Sequence, residues 1–200
     1  MNSLPVMEQF VTLQGEGFFT GKPAVFIRLG GCDVGCTWCD VKESWDPNDH
    51  PVLKVEDIVD KILKFPTNFV VITGGEPTLH NLTTLVKVLK KHNKYIAIET
   101  AGTNPIPTGI DWVCFSPKKF KKPIDEVYSQ VNELKVVITN LSDIRWAQSH
   151  AKKITCDNAM LYLQPEWSKS DDILPEILNF LQENPEWRLS LQTHKYLKIP

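Results

Sequence analysis

No apolar run in this 200-residue sequence approaches the roughly 18 residues a membrane helix needs, and the opening MNSLPVMEQFVTLQ has no basic segment ahead of an apolar core. Neither a membrane partner nor a secretory leader is expected, and the expected compartment is the cytoplasm. Basic excess is missing too: the formal net charge is -2, so the totals carry no electrostatic footprint for DNA or RNA, and nucleic acid is not an expected partner. Cysteine is scarce and odd in number, five in all, which does not suit a disulfide framework. Low-complexity tracts, internal repeats and long polar linkers are absent, so residues 1–200 read as one domain, with 42% hydrophobic residues to build its core.

What is present is a rhythm. Apolar, β-branched runs of strand length recur at 24–29, 69–73, 95–98, 112–115, 134–138, 160–163 and 188–191. Helical spacing separates several of them: Ile58, Val59, Ile62 and Leu63; then Leu82, Leu85, Val86 and Leu89; then Ile173, Leu174, Ile177, Leu178 and Leu181. This alternation predicts an α/β fold with a mainly parallel sheet, because parallel neighbours need crossover connections. A complete eightfold barrel needs about 250 residues, and 116–133 is a weak candidate for a crossover helix, so a shortened, partly open (β/α) barrel fits better.

Polar and glycine-containing motifs follow these runs. The cysteine loop follows the first, Thr73-Gly74-Gly75-Glu76-Pro77 the second, Glu99-Thr100-Ala101-Gly102 the third, and Ser116-Pro117-Lys118 the fourth. Gln164-Pro165-Glu166 follows the sixth and Gln192-Thr193-His194-Lys195 the last. The carboxyl ends of parallel strands open onto one face, so one shared site is expected to collect them.

Cys32, Cys36 and Cys39 form a CxxxCxxC signature. A cubane has four irons, each normally held by one thiolate, so three close cysteines leave one iron free for another ligand. S-adenosylmethionine (SAM) can chelate that iron, and an electron from the cluster then yields a 5′-deoxyadenosyl radical. The competing reading is a zinc-stabilised binding module, which needs a fourth ligand. Asp33 or Asp40 would have to supply it, since His50 lies eleven residues beyond Cys39. Cys114 and Cys156 sit in segments that read as packing, as do most of the six Trp. His50, His80, His92 and His150 read as surface or satisfied side chains, and Lys119, Lys121 and Lys122 as a solvated basic run. By themselves, the GG turn reads as a connection and LQGEG as a turn.

Taken together, Leu13-Gln14-Gly15-Glu16-Gly17, Phe26-Ile27-Arg28, the loop from Cys32 to Asp40, the TGGEP segment, Glu99-Thr100, Ser116-Pro117-Lys118 and the QTHK ending resemble the 7-carboxy-7-deazaguanine synthase family of radical SAM enzymes. The resemblance covers about residue 7 to residue 200. A glycyl-radical-enzyme activase, another short radical SAM protein, would not explain LQGEG, Arg28 or QTHK. The resemblance implies a lyase that converts 6-carboxy-5,6,7,8-tetrahydropterin to 7-carboxy-7-deazaguanine, releasing ammonia, in queuosine and 7-deazapurine biosynthesis. SAM would serve as a regenerated cofactor.

It also implies roles. Cys32, Cys36 and Cys39 would hold the [4Fe-4S] cluster. SAM would meet Thr37, Trp38, Cys39, Gly75, Ser116, Pro117 and Lys118, with Gln164, Pro165, Glu166 and Trp167 closing over it. The pterin would meet Leu13, Gln14, Gly15, Glu16, Arg28, Thr73 and Pro200, the last through a folded-back tail that ends in a carboxylate. His194 gains interest through the same tail motif. A Gln amide and a Glu carboxylate match the donors and acceptors of a pterin edge, while Arg28 can fork onto a carboxylate. A homodimer and an electron donor such as flavodoxin or ferredoxin are implied as partners. One departure stands out. Magnesium-dependent members carry Ser or Thr after the Cys-Asp pair, whereas Val41 here has no oxygen to offer Mg²⁺. The expectation is that the metal is absent, or held by substrate and water with help from Asp40.

Overall fold

A computed structural model describes residues 3–200; Met1 and Asn2 of the expected 1–200 domain lie outside the described residues. Among the described residues nine strands form one open sheet in the order β3-β1-β2-β4-β5-β6-β7-β8-β9. They are β1 (Ser3–Leu13), β2 (Pro23–Leu29), β3 (Val52–Lys54), β4 (Phe69–Gly74), β5 (Tyr95–Thr100), β6 (Trp112–Phe115), β7 (Glu133–Ile138), β8 (Met160–Pro165) and β9 (Trp187–Leu189). From β2 to β9 every pairing is parallel. The expected strands are all present, the last shifted to 187–189.

Two strands escaped the sequence reading. β1 runs antiparallel to β2 and places Phe10 opposite Phe26, and β3 pairs with the other edge of β1. Within β1 only Leu4 and Val6 are fully buried, so its apolar alternation is weak. The cysteine loop therefore follows β2, the first strand of the parallel set rather than of the chain.

Helices α1 (Val55–Leu63), α2 (Thr83–Lys91), α3 (Leu141–Ala151) and α4 (Ser170–Glu183) cover the outer face, and a short α5 (Thr193–Leu197) ends the described chain. In α1 and α2, Ile58, Ile62, Leu85 and Leu89 are fully buried against Val25, Ile27, Val70, Ile72, Ile96 and Ile98. Each such side chain contributes about 1.5–3 kcal/mol. Leu63 and Leu178, expected on the apolar faces, are partly exposed instead. α3 was not expected. Its apolar stripe is thin, and what starts it is a capping box between Asn140 and Asp143. The 116–133 connection carries only a 3-10 turn (Asp125–Ser129), as anticipated, and no α-helix joins β5 to β6 either. The missing crossovers leave the barrel short and open.

Period-two alternation sorts side chains between the two faces of this curved sheet. Ala24, Phe26, Phe69, Val71 and Ala97 face inward, joined by Phe10, Phe19, Tyr95 and Trp112. Further along the same inward rows stand Arg28, Thr73, Glu99 and Lys135, polar where the strands reach the open end. Among the described residues, no helix is long and apolar enough to cross a membrane.

Candidate active site

One cavity of about 290 Å³ occupies the strand-end face, and most of the expected site residues line it. Leu13, Gln14, Gly15, Glu16, Arg28, Cys32, Cys36, Trp38, Cys39, Asp40, Thr73, Gly75, Ser116, Lys118, Gln164, Glu166, Trp167 and Pro200 all reach its wall. Three do not: Thr37 is exposed, and Pro117 and Pro165 are buried beside it.

The cysteine loop leaves β2 and packs Cys36 with Val34 and Ala101, with Cys32, Trp38 and Cys39 against them. Burial raises the Cys32 thiol, and it pushes Cys36 up to about 11 despite the nearby Lys118 ammonium. Metal loading must therefore release these protons. Among the described residues no three His, Cys, Asp or Glu side chains converge as they would on a single ion. A cubane instead takes one thiolate per iron, at separate corners. Three thiols of one short loop, lining one cavity and packed with Val34 and Ala101, fit that donor set. Cys114 is buried inside the sheet, and Cys156 lies against the Tyr128 carbonyl, both away from the loop.

Glycines bring the backbone of the TGGEP segment against that loop. A Cβ on Gly74, at φ +150°, would run into the Leu29 backbone, and one on Gly75 would meet the Gly31 carbonyl and Cys32. Glu76 then ties two strand ends together. Its buried carboxylate accepts from Thr78 N (3.0 Å), Thr78 Oγ1 (2.5 Å), Thr100 Oγ1 (2.6 Å) and Ala101 N (2.7 Å). Across the cavity, Lys118 donates to the Ser116 carbonyl and hydroxyl, and its ammonium stands 5.9 Å from the Trp38 ring centre. Lys119 and Lys121, read as solvated, pair with Asp143 and Asp33.

The opposite wall belongs to residues 14–22, which bridge the gap between the two ends of the open sheet. Gly17 N donates to Ser190 Oγ and Phe18 N to Glu133, while Thr193 N and Oγ1 both donate to the Gly15 carbonyl. Arg28 points into the cavity, held by Glu8 at 2.6 Å and lying 5.8 Å from the Phe10 ring centre. Phe10 and Phe26 stack at 5.2 Å, giving the wall a flat aromatic surface. The final segment clasps three loops at once. Lys195 pairs with Asp40 (2.8 Å), Tyr196 packs edge-on against Trp167, and Thr193 holds Gly15.

Sequence reasoning missed Lys135 and gave Glu99 no role. Lys135 is buried yet reaches Glu16 Oε2 at 2.5 Å and Glu99 Oε2 at 3.0 Å. A lysine in the middle of the apolar run ELKVVI was the available signal, since a buried charge needs partners. The aromatic pair Phe10 and Phe26 was hidden because β1 itself was.

The fold and cavity are those of a radical SAM enzyme, and the sequence matches the family model described as Radical SAM superfamily over residues 26–149. Enzymes of that class use SAM and a [4Fe-4S] cluster, act on a substrate and need a reductant. The similarity sharpens over the whole chain. A 7-carboxy-7-deazaguanine synthase of Flavobacterium psychrophilum is 50% identical over 98% of this chain and 93% of its own length, and one of Synechocystis is 45% identical over 98% and 94%. A crystal structure of QueE from Escherichia coli superposes with a TM-score of 0.86 at 34% identity, covering 96% of this chain and 95% of that one. The chain belongs to the 7-carboxy-7-deazaguanine synthase family.

Proposed function

We propose that this chain converts 6-carboxy-5,6,7,8-tetrahydropterin to 7-carboxy-7-deazaguanine with release of ammonia. It would act as a carbon–nitrogen lyase in queuosine and 7-deazapurine biosynthesis. The observation that carries this reading is that the cysteine loop and the LQGEG–Arg28 wall face each other across one cavity. Cys32, Cys36 and Cys39 would hold a [4Fe-4S] cluster, which together with SAM would supply radical chemistry in this cavity.

The chain's own residues bind and orient. Trp38, Gly75, Ser116, Lys118, Gln164, Glu166 and Trp167 would enclose SAM, while Thr37, Pro117 and Pro165 of the same segments stay off the cavity wall. Arg28 forks onto the substrate carboxylate, and the Phe10–Phe26 surface lies beside the ring. Gln14 and Glu16 take the pyrimidine edge, with Leu13, Gly15 and Thr73 beside it. Residues 1–200 act as one domain in a homodimer that receives electrons from a flavodoxin or ferredoxin. The test is anaerobic turnover with SAM, a reductant and carboxytetrahydropterin, followed by mass detection of the deazaguanine product. SAM cleavage by a brown, cluster-loaded enzyme without that product would point to a different substrate.

Two features of this cavity give further expectations. Val41 presents methyl groups where Mg²⁺ needs oxygen, and Asp40 already faces the Lys195 ammonium. Turnover by metal-free holoenzyme is expected to change less than about twofold on adding Mg²⁺; a steep rise would show that substrate and water hold the ion with Asp40. Pro200 stands at the cavity wall behind α5, whose end is closed by Ile199 N donating to the His194 carbonyl. Deleting Ile199 and Pro200 should raise KM by roughly tenfold, the scale of one lost polar or packing contact, while SAM affinity is retained. An unchanged KM would remove Pro200 from the substrate site.

A further inference from the structure

A buried cation stands on the inward face of the sheet, among apolar side chains and two acidic partners. The side chain of Lys135 on β7 is only 3% exposed, and its ammonium lies between two carboxylates from distant parts of the chain. It donates to Glu16 Oε2 at 2.5 Å and to Glu99 Oε2 at 3.0 Å. Two amides complete the frame. Gln192 Nε2 donates to Glu16 Oε1 at 2.9 Å and Gln14 Nε2 to Glu99 Oε1 at 2.8 Å. Each carboxylate is thus pinned at both oxygens from the protein side, and both residues line the cavity.

The geometry points to Lys135 as a specificity-determining residue: by pinning Glu16 and Glu99 in one orientation, it makes the cavity floor a pair of acceptors for the adjacent N–H donors of an aminopyrimidinone edge. The inference rests on the pterin reading of the site and deepens it. A pterin presents its ring N3–H and exocyclic 2-amino group side by side, which two ionised carboxylates can receive. A 2-oxo analogue, a lumazine, places an acceptor at that point and meets repulsion instead. Charge-assisted hydrogen bonds of this kind discriminate strongly, because a mismatched partner leaves a desolvated anion unpaired.

The surroundings explain why lysine is needed. Around Lys135 stand the carboxyl groups of Glu99 from β5, Glu133 from its own strand and Glu16 from the bridging loop, a surplus of acidic groups, with the Cys114 thiol of β6 held protonated by burial. Glu16 also faces His194 of α5, itself flanked by Lys195 and Asp40. Burial alone would push the Glu16 carboxyl up; the Lys135 charge and its hydrogen bond, with help from Gln192, overcome burial and hold it at about 2. Its folded value is depressed, so it stays ionised throughout the neutral range. Without Lys135, burial is opposed only by Gln192 and His194, and Glu16 takes up its proton more readily. A protonated carboxyl donates as well as accepts, which removes the preference.

The experiment uses SAM-loaded holoenzyme under anaerobic conditions and two fluorescent probes, 6-carboxypterin and 6-carboxylumazine, titrated across the pH range. Wild type is expected to prefer the pterin by about tenfold or more, with affinity flat down to about pH 5. In Lys135→Met the pterin affinity should fall, the preference shrink to within about threefold, and an acid limb move into the pterin binding curve from below the wild-type range. Lys135→Arg should keep the preference. If Lys135→Met does not fold, Glu99→Gln tests the same point with lysine in place and should likewise narrow the preference. A folded Lys135→Met with the wild-type ratio and a flat pH curve overturns the inference, as does Glu99→Gln with an unchanged ratio. Wild type that binds neither probe overturns the pterin reading itself, and this inference with it.

Discussion

Replacing Cys36 with alanine is expected to leave a folded but colourless protein that neither cleaves SAM nor forms product. In the proposed assignment the three thiols at 32, 36 and 39 would hold the cluster, and a cubane bound by two thiolates would lose the arrangement that leaves one iron open to SAM. Everything downstream depends on that iron, so the loss should be roughly four orders of magnitude or more, to the assay floor. The fold should survive because Cys36 packs with small neighbours, Val34 and Ala101, in a satellite cluster separate from the main core. Iron content, visible absorption and 5′-deoxyadenosine release report the outcome. Cys156→Ser is the matched control: that thiol only touches the Tyr128 carbonyl, and the variant should stay brown and active. A brown, active Cys36→Ala would refute the cluster assignment.

The largest stability effect is expected at Glu76, which lines the cavity but spends its carboxylate on the protein's own donors. Its carboxylate gathers four donors, two from Thr78 and one each from Thr100 and Ala101, with 1% of the residue exposed. Glu76→Ala strands two backbone N–H groups and two hydroxyls in a site water enters poorly. An orphaned buried donor costs about 1–3 kcal/mol, and the hydroxyls can rotate to other partners, so a loss of about 3–5 kcal/mol follows. For a chain of this size that lowers the melting temperature by roughly 10 °C. The functional effect accompanies it. Glu76 N donates to the Gly31 carbonyl and Gly75 N to that of Leu29, so the glycine turn and the cysteine loop are fastened by the same few residues. SAM affinity should fall with stability. A melting temperature within about 2 °C of wild type would show that water or neighbouring groups replace the carboxylate.

Much of this arrangement could be read along the chain because it is built from local signals. Parallel strands buried on both faces leave continuous apolar runs, which is why β2 and β4 through β8 stood out, while the half-exposed β1 did not. Helices α1, α2 and α4 declared themselves by spacing. α3 has its signal in its cap instead, at Asn140 and Asp143. The motif residues were legible because polar and glycine-containing segments interrupted apolar strands at their ends. Thr37, Pro117 and Pro165 share those segments but do not line the cavity: Pro165 alternates with Gln164 along β8, whereas Thr37 lies exposed in the turn of the cysteine loop.

The sequence alone determined the class of fold, the positions of the parallel strands, the cysteine loop and the set of motifs that follow the strands, because each depends on residues within one turn or one strand of each other. Only the tertiary structure decided which of those motifs meet. Lys135 finds Glu16 across 119 positions and Glu99 across 36. Thr193 finds Gly15 across 178. Such contacts follow from how far the open sheet curves and how residues 14–22 and α5 bridge its two ends. That closure comes from side chains and loops rather than a strand ladder, so no periodicity in the chain encodes it.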